Sequence, residues 1–136
     1  MSDDRRGGGA DPAPVRVVIA DDEPDVRLLL RLQLNGTPGI VVVGAAGDGV
    51  QTLDVCRELR PDAVVMDLLM PKMMGMEAIE RLHAEMPAVG IVAYTATAGE
   101  LVRREMERLG VILLLKSGDV GQLVDALRAS ATRSAD

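Results

Sequence analysis

Val15-Arg16-Val17-Val18-Ile19-Ala20-Asp21-Asp22-Glu23-Pro24 is an apolar run that stops on a pair of carboxylates and then meets a proline. Three more runs along the chain stop in the same way. Ala63 to Met66 ends at Asp67, Ile91 to Tyr94 ends at Thr95, and Val111 to Leu115 ends at Lys116. Short runs that are apolar throughout, instead of alternating, suit strands of a parallel sheet covered on both faces. In such a sheet ligands bind in the crevice beyond the carboxyl ends of the strands, where all of these polar endings would converge.

Working outward, the segments between the runs read as amphipathic helices, so the pattern is repeated βα units. Pro24 opens a helix through Leu34, since proline is tolerated in a first turn, and Asn35-Gly36 ends it. A second strand, about Ile40 to Ala45, leads through Gly47-Asp48-Gly49 into a helix with apolar Val50, Leu53, Val55 and Leu59, stopped by Arg60-Pro61-Asp62. After the third strand, Ala63 to Met66, a loop through Gly75 gives way to a helix from Met76 to about Met86, bounded by Pro87. The fourth strand is Val89 to Tyr94. A helix from Gly99 to Leu109 with Gly110 as its C-cap precedes the fifth strand, and a last helix runs from Asp119 to about Ala131. The expectation is an α/β fold with five strands and five helices.

At 136 residues, with 48% hydrophobic and 26% charged, the chain suits one soluble globular domain over residues 15–131. Residues 1–14, with Gly7-Gly8-Gly9 and Asp11-Pro12-Ala13-Pro14, read as a flexible leader, and residues 132–136 as a short polar tail. A net charge of -6 argues against direct nucleic-acid binding, which relies on basic patches. The lone Cys56 forbids an intramolecular disulfide and fits a reducing compartment, the cytoplasm being the simplest. No apolar signal core and no membrane span are legible.

Three carboxylates in one cleft repel each other, so either their pKa values rise or a divalent cation sits among them. Magnesium suits this donor set, because it takes oxygen ligands, needs only one or two protein carboxylates and keeps waters. A carboxylate can also act as a nucleophile toward phosphorus, with a metal and an ammonium group neutralising the transferred oxygens. Asp67, Lys116 and Thr95 supply the nucleophile, the cation and a hydroxyl.

Taken together, Ile19-Ala20-Asp21-Asp22-Glu23-Pro24, Met66-Asp67-Leu68-Leu69-Met70-Pro71-Lys72-Met73-Met74-Gly75, Ala93-Tyr94-Thr95-Ala96 and Leu114-Leu115-Lys116-Ser117 resemble the receiver domains of bacterial two-component response regulators. The likeness spans about Val15 to Ala131. It implies a doubly wound, five-stranded, flavodoxin-like parallel sheet of order 2-1-3-4-5. It implies that Asp67 is the phosphoacceptor, that Lys116 contacts the phosphoryl group and that Thr95 is the switch hydroxyl. Asp22, Asp67 and the backbone carbonyl of Leu69 would bind Mg2+, with Asp21 acting mainly through water. The donor would be a sensor histidine kinase or a phosphotransfer protein. With only a last helix expected after Lys116, the reading is a stand-alone, non-enzymatic receiver that docks on a downstream protein, with a homodimer left open.

The chain departs from that family at several places. Leu113 stands where an aromatic residue commonly sits on the fifth strand, Met74 replaces an Asp, and Ser117 replaces a Pro. Tyr94 reads as a strand residue packed under a helix, ahead of any substitute switch role. His83 reads as exposed and non-catalytic, Cys56 as core, and the methionines around Asp67 chiefly as loop packing. Arg103, Arg104, Glu105, Glu107 and Arg108 read as a solvated face. Leu69, apolar and two positions after Asp67, is expected to hinder water and prolong an acyl phosphate. Rival readings are a receiver that no longer accepts phosphate, a haloacid-dehalogenase-type phosphatase, which would want an Asp at Leu69, and a flavodoxin-type carrier, disfavoured by Asp21-Asp22 and the lack of aromatics.

Overall fold

Each apolar run forms a strand whose side chains are taken up on both faces, which is why none of them alternates. In the computed structural model, which describes residues 13–70, 72–116 and 119–135, the elements are β1 (Val15–Ala20), α1 (Pro24–Asn35), β2 (Ile40–Ala46), α2 (Gly49–Leu59) and β3 (Ala63–Met66). They continue with α3 (Gly75–Glu85), β4 (Gly90–Thr95), α4 (Glu100–Leu109), β5 (Ile112–Leu115) and α5 (Val120–Ala135). The strands form one parallel sheet in the order β2-β1-β3-β4-β5. The expected doubly wound α/β architecture is therefore the observed one.

Successive side chains of a strand point to opposite faces, and the core divides accordingly. On one face Val18, Val64, Met66, Ile91 and Ala93 pack with Leu53 and Cys56 of α2, Ile79 and Leu82 of α3 and Met106 of α4. On the other, Val17, Ile19, Val65, Val92 and Tyr94 pack with Leu30 and Leu34 of α1 and Leu123 and Leu127 of α5. The connection after β1 runs to β2 on one side and the connection after β3 runs to β4 on the other, so the crevice opens where β1 and β3 end.

The structure differs from the sequence reading mainly at element ends and in the exposure of single side chains. Val50 is exposed, because it sits in the first turn at the edge of the apolar stripe that Leu53 and Cys56 carry into the core. The final helix continues through Ala135, past the expected end at Ala131, so most of the expected polar tail is helical; Ala-Ser-Ala-Thr-Arg contains no residue that stops a helix. β4 takes in Thr95 and starts at Gly90, and α3 starts at Gly75. Met74 is half exposed, whereas Met66 and Met70 are buried as loop packing requires. Of the leader expected over residues 1–14, residues 1–12 lie outside the described residues, as does Ser117.

Candidate functional site

The loops that follow β1, β3, β4 and β5 bring the expected residues together. Asp21 and Asp67 are buried, Asp22 is exposed at the rim, and one oxygen of each lies within 4.8 Å of the others. Lys116, the residue after β5, enters from the far side: its Nζ donates to Asp21 Oδ2 at 2.6 Å and to Asp67 Oδ2 at 3.4 Å. Its own backbone N–H donates to the Thr95 carbonyl at 2.8 Å, which holds the ends of β4 and β5 level. Thr95 is fully buried, and among the described residues its Oγ1 is the one buried side-chain polar atom with no hydrogen-bond partner. Buried hydroxyls are normally paired, so Thr95 Oγ1, on the strand end that Lys116 joins, is an exception among the described residues.

Electrostatics set the resting state. Burial pushes the Asp67 carboxyl above the ordinary carboxylate range, opposed by the Leu69 backbone N–H and the charge of Lys116, while the negative charge of Asp21 adds to the rise. Burial pulls Lys116 down, but the hydrogen bond and charge of Asp21, together with Asp67, outweigh it and hold the ammonium above its usual range. Lys116 thus stays charged and is shared between two carboxylates. Asp67 Oδ1 accepts from the Leu69 N–H at 3.2 Å, which turns the loop after β3 back toward the Asp67 side chain.

Two glycines make room for that loop. At Gly75 a Cβ would lie 2.1 Å from the Asp67 carbonyl oxygen, so only glycine lets the start of α3 press against the Asp67 peptide. At Gly49 a Cβ would lie 2.4 Å from the Met73 carbonyl oxygen, so the far end of the loop rests on the N-terminus of α2. Asp48 caps that helix through the Gln51 N–H at 2.8 Å and also stands 3.6 Å from Lys72 Nζ, while Lys72 adopts a left-handed φ of 67°. A lysine there is uncommon, because a Cβ disfavours that region.

A family model described as the response regulator receiver domain matches residues 17–128 of the chain. The chain is 34% identical over 134 residues to a protein-glutamate methylesterase/protein-glutamine glutaminase of Myxococcus xanthus, covering 87% of this chain and 36% of that protein. It is 36% identical over 118 residues to the transcriptional regulatory protein YxjL of Bacillus subtilis, covering 86% and 54%. The signal receiver domain of NarL from Mycobacterium tuberculosis superimposes with a TM-score of 0.82 at 28% identity, covering 89% of this chain and 98% of that one. A LuxR-family two-component response regulator from Aurantimonas gives 0.81 at 31%, covering 88% and 86%.

This chain belongs to the response regulator receiver family.

The receiver chain spans roughly a third to a half of the length of these two curated relatives, which include both a methylesterase and a transcriptional regulator. The receiver family is a family of phosphoacceptors that binds Mg2+ at an acidic pocket, and here Asp21, Asp22 and Asp67 form such a cluster. Its donors fit a hard cation, being all oxygen, close together and open to water on the Asp22 side. Among the described residues no helix is long and apolar enough to cross a membrane.

In this receiver Leu113 packs with the α2–α4 side of the core, whereas Tyr94 is buried on the α1–α5 side. Tyr94 therefore packs under helices as expected, and it cannot fill the place left by an aromatic at Leu113 because the sheet lies between them. Cys56 is fully buried and its thiol is pushed up to about 12 by burial, as suits a core residue. His83 is exposed. The sequence reading missed Arg27, whose guanidinium donates to the Asp21 carbonyl at 2.7 Å, and the contact of Lys72 with Asp48. Neither left a signal, since each looks in sequence like an ordinary surface cation.

Proposed function

We propose that this receiver accepts a phosphoryl group on Asp67 from a histidine kinase or phosphotransfer protein and signals by phosphorylation-dependent docking on another protein. The observation that carries the reading is the convergence on Asp67 of the Lys116 ammonium and the Asp21 and Asp22 carboxylates, with the unpartnered Thr95 hydroxyl at the end of the neighbouring strand β4. An Asp67 carboxylate oxygen attacks phosphorus, an O–P bond forms as the donor's P–N bond breaks, and the leaving imidazole keeps the electron pair and takes up a proton. Asp22, Asp67 and the Leu69 carbonyl would hold Mg2+, with Asp21 reaching it through water. Bound there, the ion would offset the charge of the phosphoryl oxygens.

Lys116 is placed to turn from Asp21 toward the new anion, since it already bridges both carboxylates. Thr95 Oγ1 gains a phosphoryl oxygen as its acceptor. Movement at the end of β4 then reaches the α4 and β5 surface, where Leu101 is 81% exposed. A protein-binding output suits the acidic net charge of the chain, which disfavours direct nucleic-acid binding.

The test is intact mass after incubation with acetyl phosphate and MgCl2, with Asp67→Asn as the comparison. A single phosphoryl adduct that requires Mg2+ and is lost in Asp67→Asn is the expected result. No adduct on folded wild-type protein, alongside a working control receiver, would leave a phosphorylation-independent interaction module instead.

A further inference from the structure

The carbonyl that Arg27 binds belongs to the peptide joining Asp21 to Asp22, so a bond to that oxygen fixes the plane from which the Asp22 side chain departs. Arg27 sits in the first turns of α1, partly buried, and its Nη1 donates to this oxygen at 2.7 Å. The same guanidinium lies over Gly47, where a Cβ would stand 3.1 Å from Nη1 and 3.7 Å from Cζ. The Gly47 N–H is in turn held by Gln51 Oε1 at 2.9 Å, and the Asp21 N–H donates to the Ala46 carbonyl at 3.1 Å. Asp21's carboxylate is already engaged, Oδ1 by the Glu23 N–H and Oδ2 by Lys116. Asp22 is different: among the described residues its exposed carboxylate has no hydrogen-bond or ion-pair partner, so its direction is set by backbone alone.

We propose that Arg27 is a positioning residue for magnesium binding, clamping the Asp21–Asp22 peptide between α1 and the β2–α2 loop so that the Asp22 carboxylate faces the cleft. The proposal rests on the reading of Asp22 as a metal ligand. Partners that orient metal ligands affect affinity strongly, and removing them commonly costs about 10- to 100-fold.

A competing effect has the opposite sign. Arg27 is a cation bound to the main chain of Asp21, so a role limited to its charge would weaken Mg2+ binding, and deleting it would tighten binding. A positioning role predicts weaker binding on deletion. Its hydrogen bond goes to a carbonyl instead of a carboxylate, which favours positioning, because charge-assisted bonds of this kind are among the stronger ones.

The experiment compares wild type, Arg27→Met and Arg27→Lys by calorimetric titration with MgCl2, and by the Mg2+ dependence of labelling with acetyl phosphate. Arg27→Met is expected to bind Mg2+ about tenfold more weakly. Its labelling rate should recover toward wild type at saturating Mg2+, and Arg27→Lys, which keeps a charged donor, should restore part of the affinity. Equal or tighter Mg2+ binding by folded Arg27→Met overturns the proposal, as does a labelling defect that saturating Mg2+ leaves untouched. If Arg27→Met does not fold by circular dichroism, Arg27→Gln replaces it with the same expectation. A wild-type protein that binds no Mg2+ and takes no phosphoryl group would overturn the phosphoacceptor reading itself, which separates the two failures.

Discussion

Replacing Thr95 by valine should stabilise the resting protein and weaken its activated state. Thr95 is fully buried and its Oγ1 has no partner, so the resting fold bears the desolvation of a hydroxyl without a hydrogen bond in return. That penalty is about 1–3 kcal/mol. Valine keeps the β-branched shape, which suits β4, whose six residues are all buried. The expected gain is about 1 kcal/mol in urea unfolding without Mg2+, or roughly 3–5 °C in Tm for a domain of this size. In the activated state the sign reverses, because the hydroxyl would donate to an anionic oxygen, a bond worth about 1.5–3 kcal/mol. Binding of the phosphoryl mimic beryllofluoride with Mg2+ should therefore weaken by roughly 10- to 100-fold. Circular dichroism melts with and without beryllofluoride read both quantities. A Thr95→Val protein less stable than wild type at rest would refute the unpaired hydroxyl, and undiminished stabilisation by beryllofluoride would refute its role in the switch.

Three other outcomes are expected. Because burial raises the Asp67 pKa above its ordinary value near 3.8, the stability this group contributes is fully present below that value and is lost as pH rises through the folded pKa. Asp67→Asn should thus be more stable than wild type at pH 7 without Mg2+, with the difference closing as the pH falls toward 3.8; urea titrations across that range check it, and a gap that widens would refute it. Gly75→Ala must displace the acceptor loop or the start of α3, since the new Cβ would meet the Asp67 carbonyl oxygen at 2.1 Å. Labelling by acetyl phosphate should fall by roughly 100-fold, with about 1–3 kcal/mol lost from stability, and labelling that survives within tenfold would show that the contact does not position Asp67. Leu69 is 58% exposed beside the acceptor, so Leu69→Asn should shorten the life of the phosphorylated protein, read by intact mass after the donor is removed; an unchanged rate ends the idea that its side chain obstructs water.

The strands and the edge they share were legible from the period and position of apolar residues. Four short runs, apolar apart from Arg16 and each followed by a polar residue, read as strands buried on two faces, and a parallel sheet then carries Asp21, Asp67, Thr95 and Lys116 to one edge, because each ends or follows a strand. Helix ends were less legible where no residue enforces a stop, as at Ala135, and an apolar side chain at the edge of a stripe, as at Val50, can face solvent.

Which groups touch depends on packing in three dimensions. Lys116 bridging Asp21 and Asp67 across 95 and 49 residues, Thr95 lacking a partner, and Tyr94 lying across the sheet from Leu113 all depend on how the layers meet. The same is true of Arg27 and Gly75. A cation in a helix and a glycine at a helix start carry no mark in one dimension, because their roles are set by a carbonyl oxygen that packing brings within 2.7 Å of the one and that would lie 2.1 Å from a Cβ on the other.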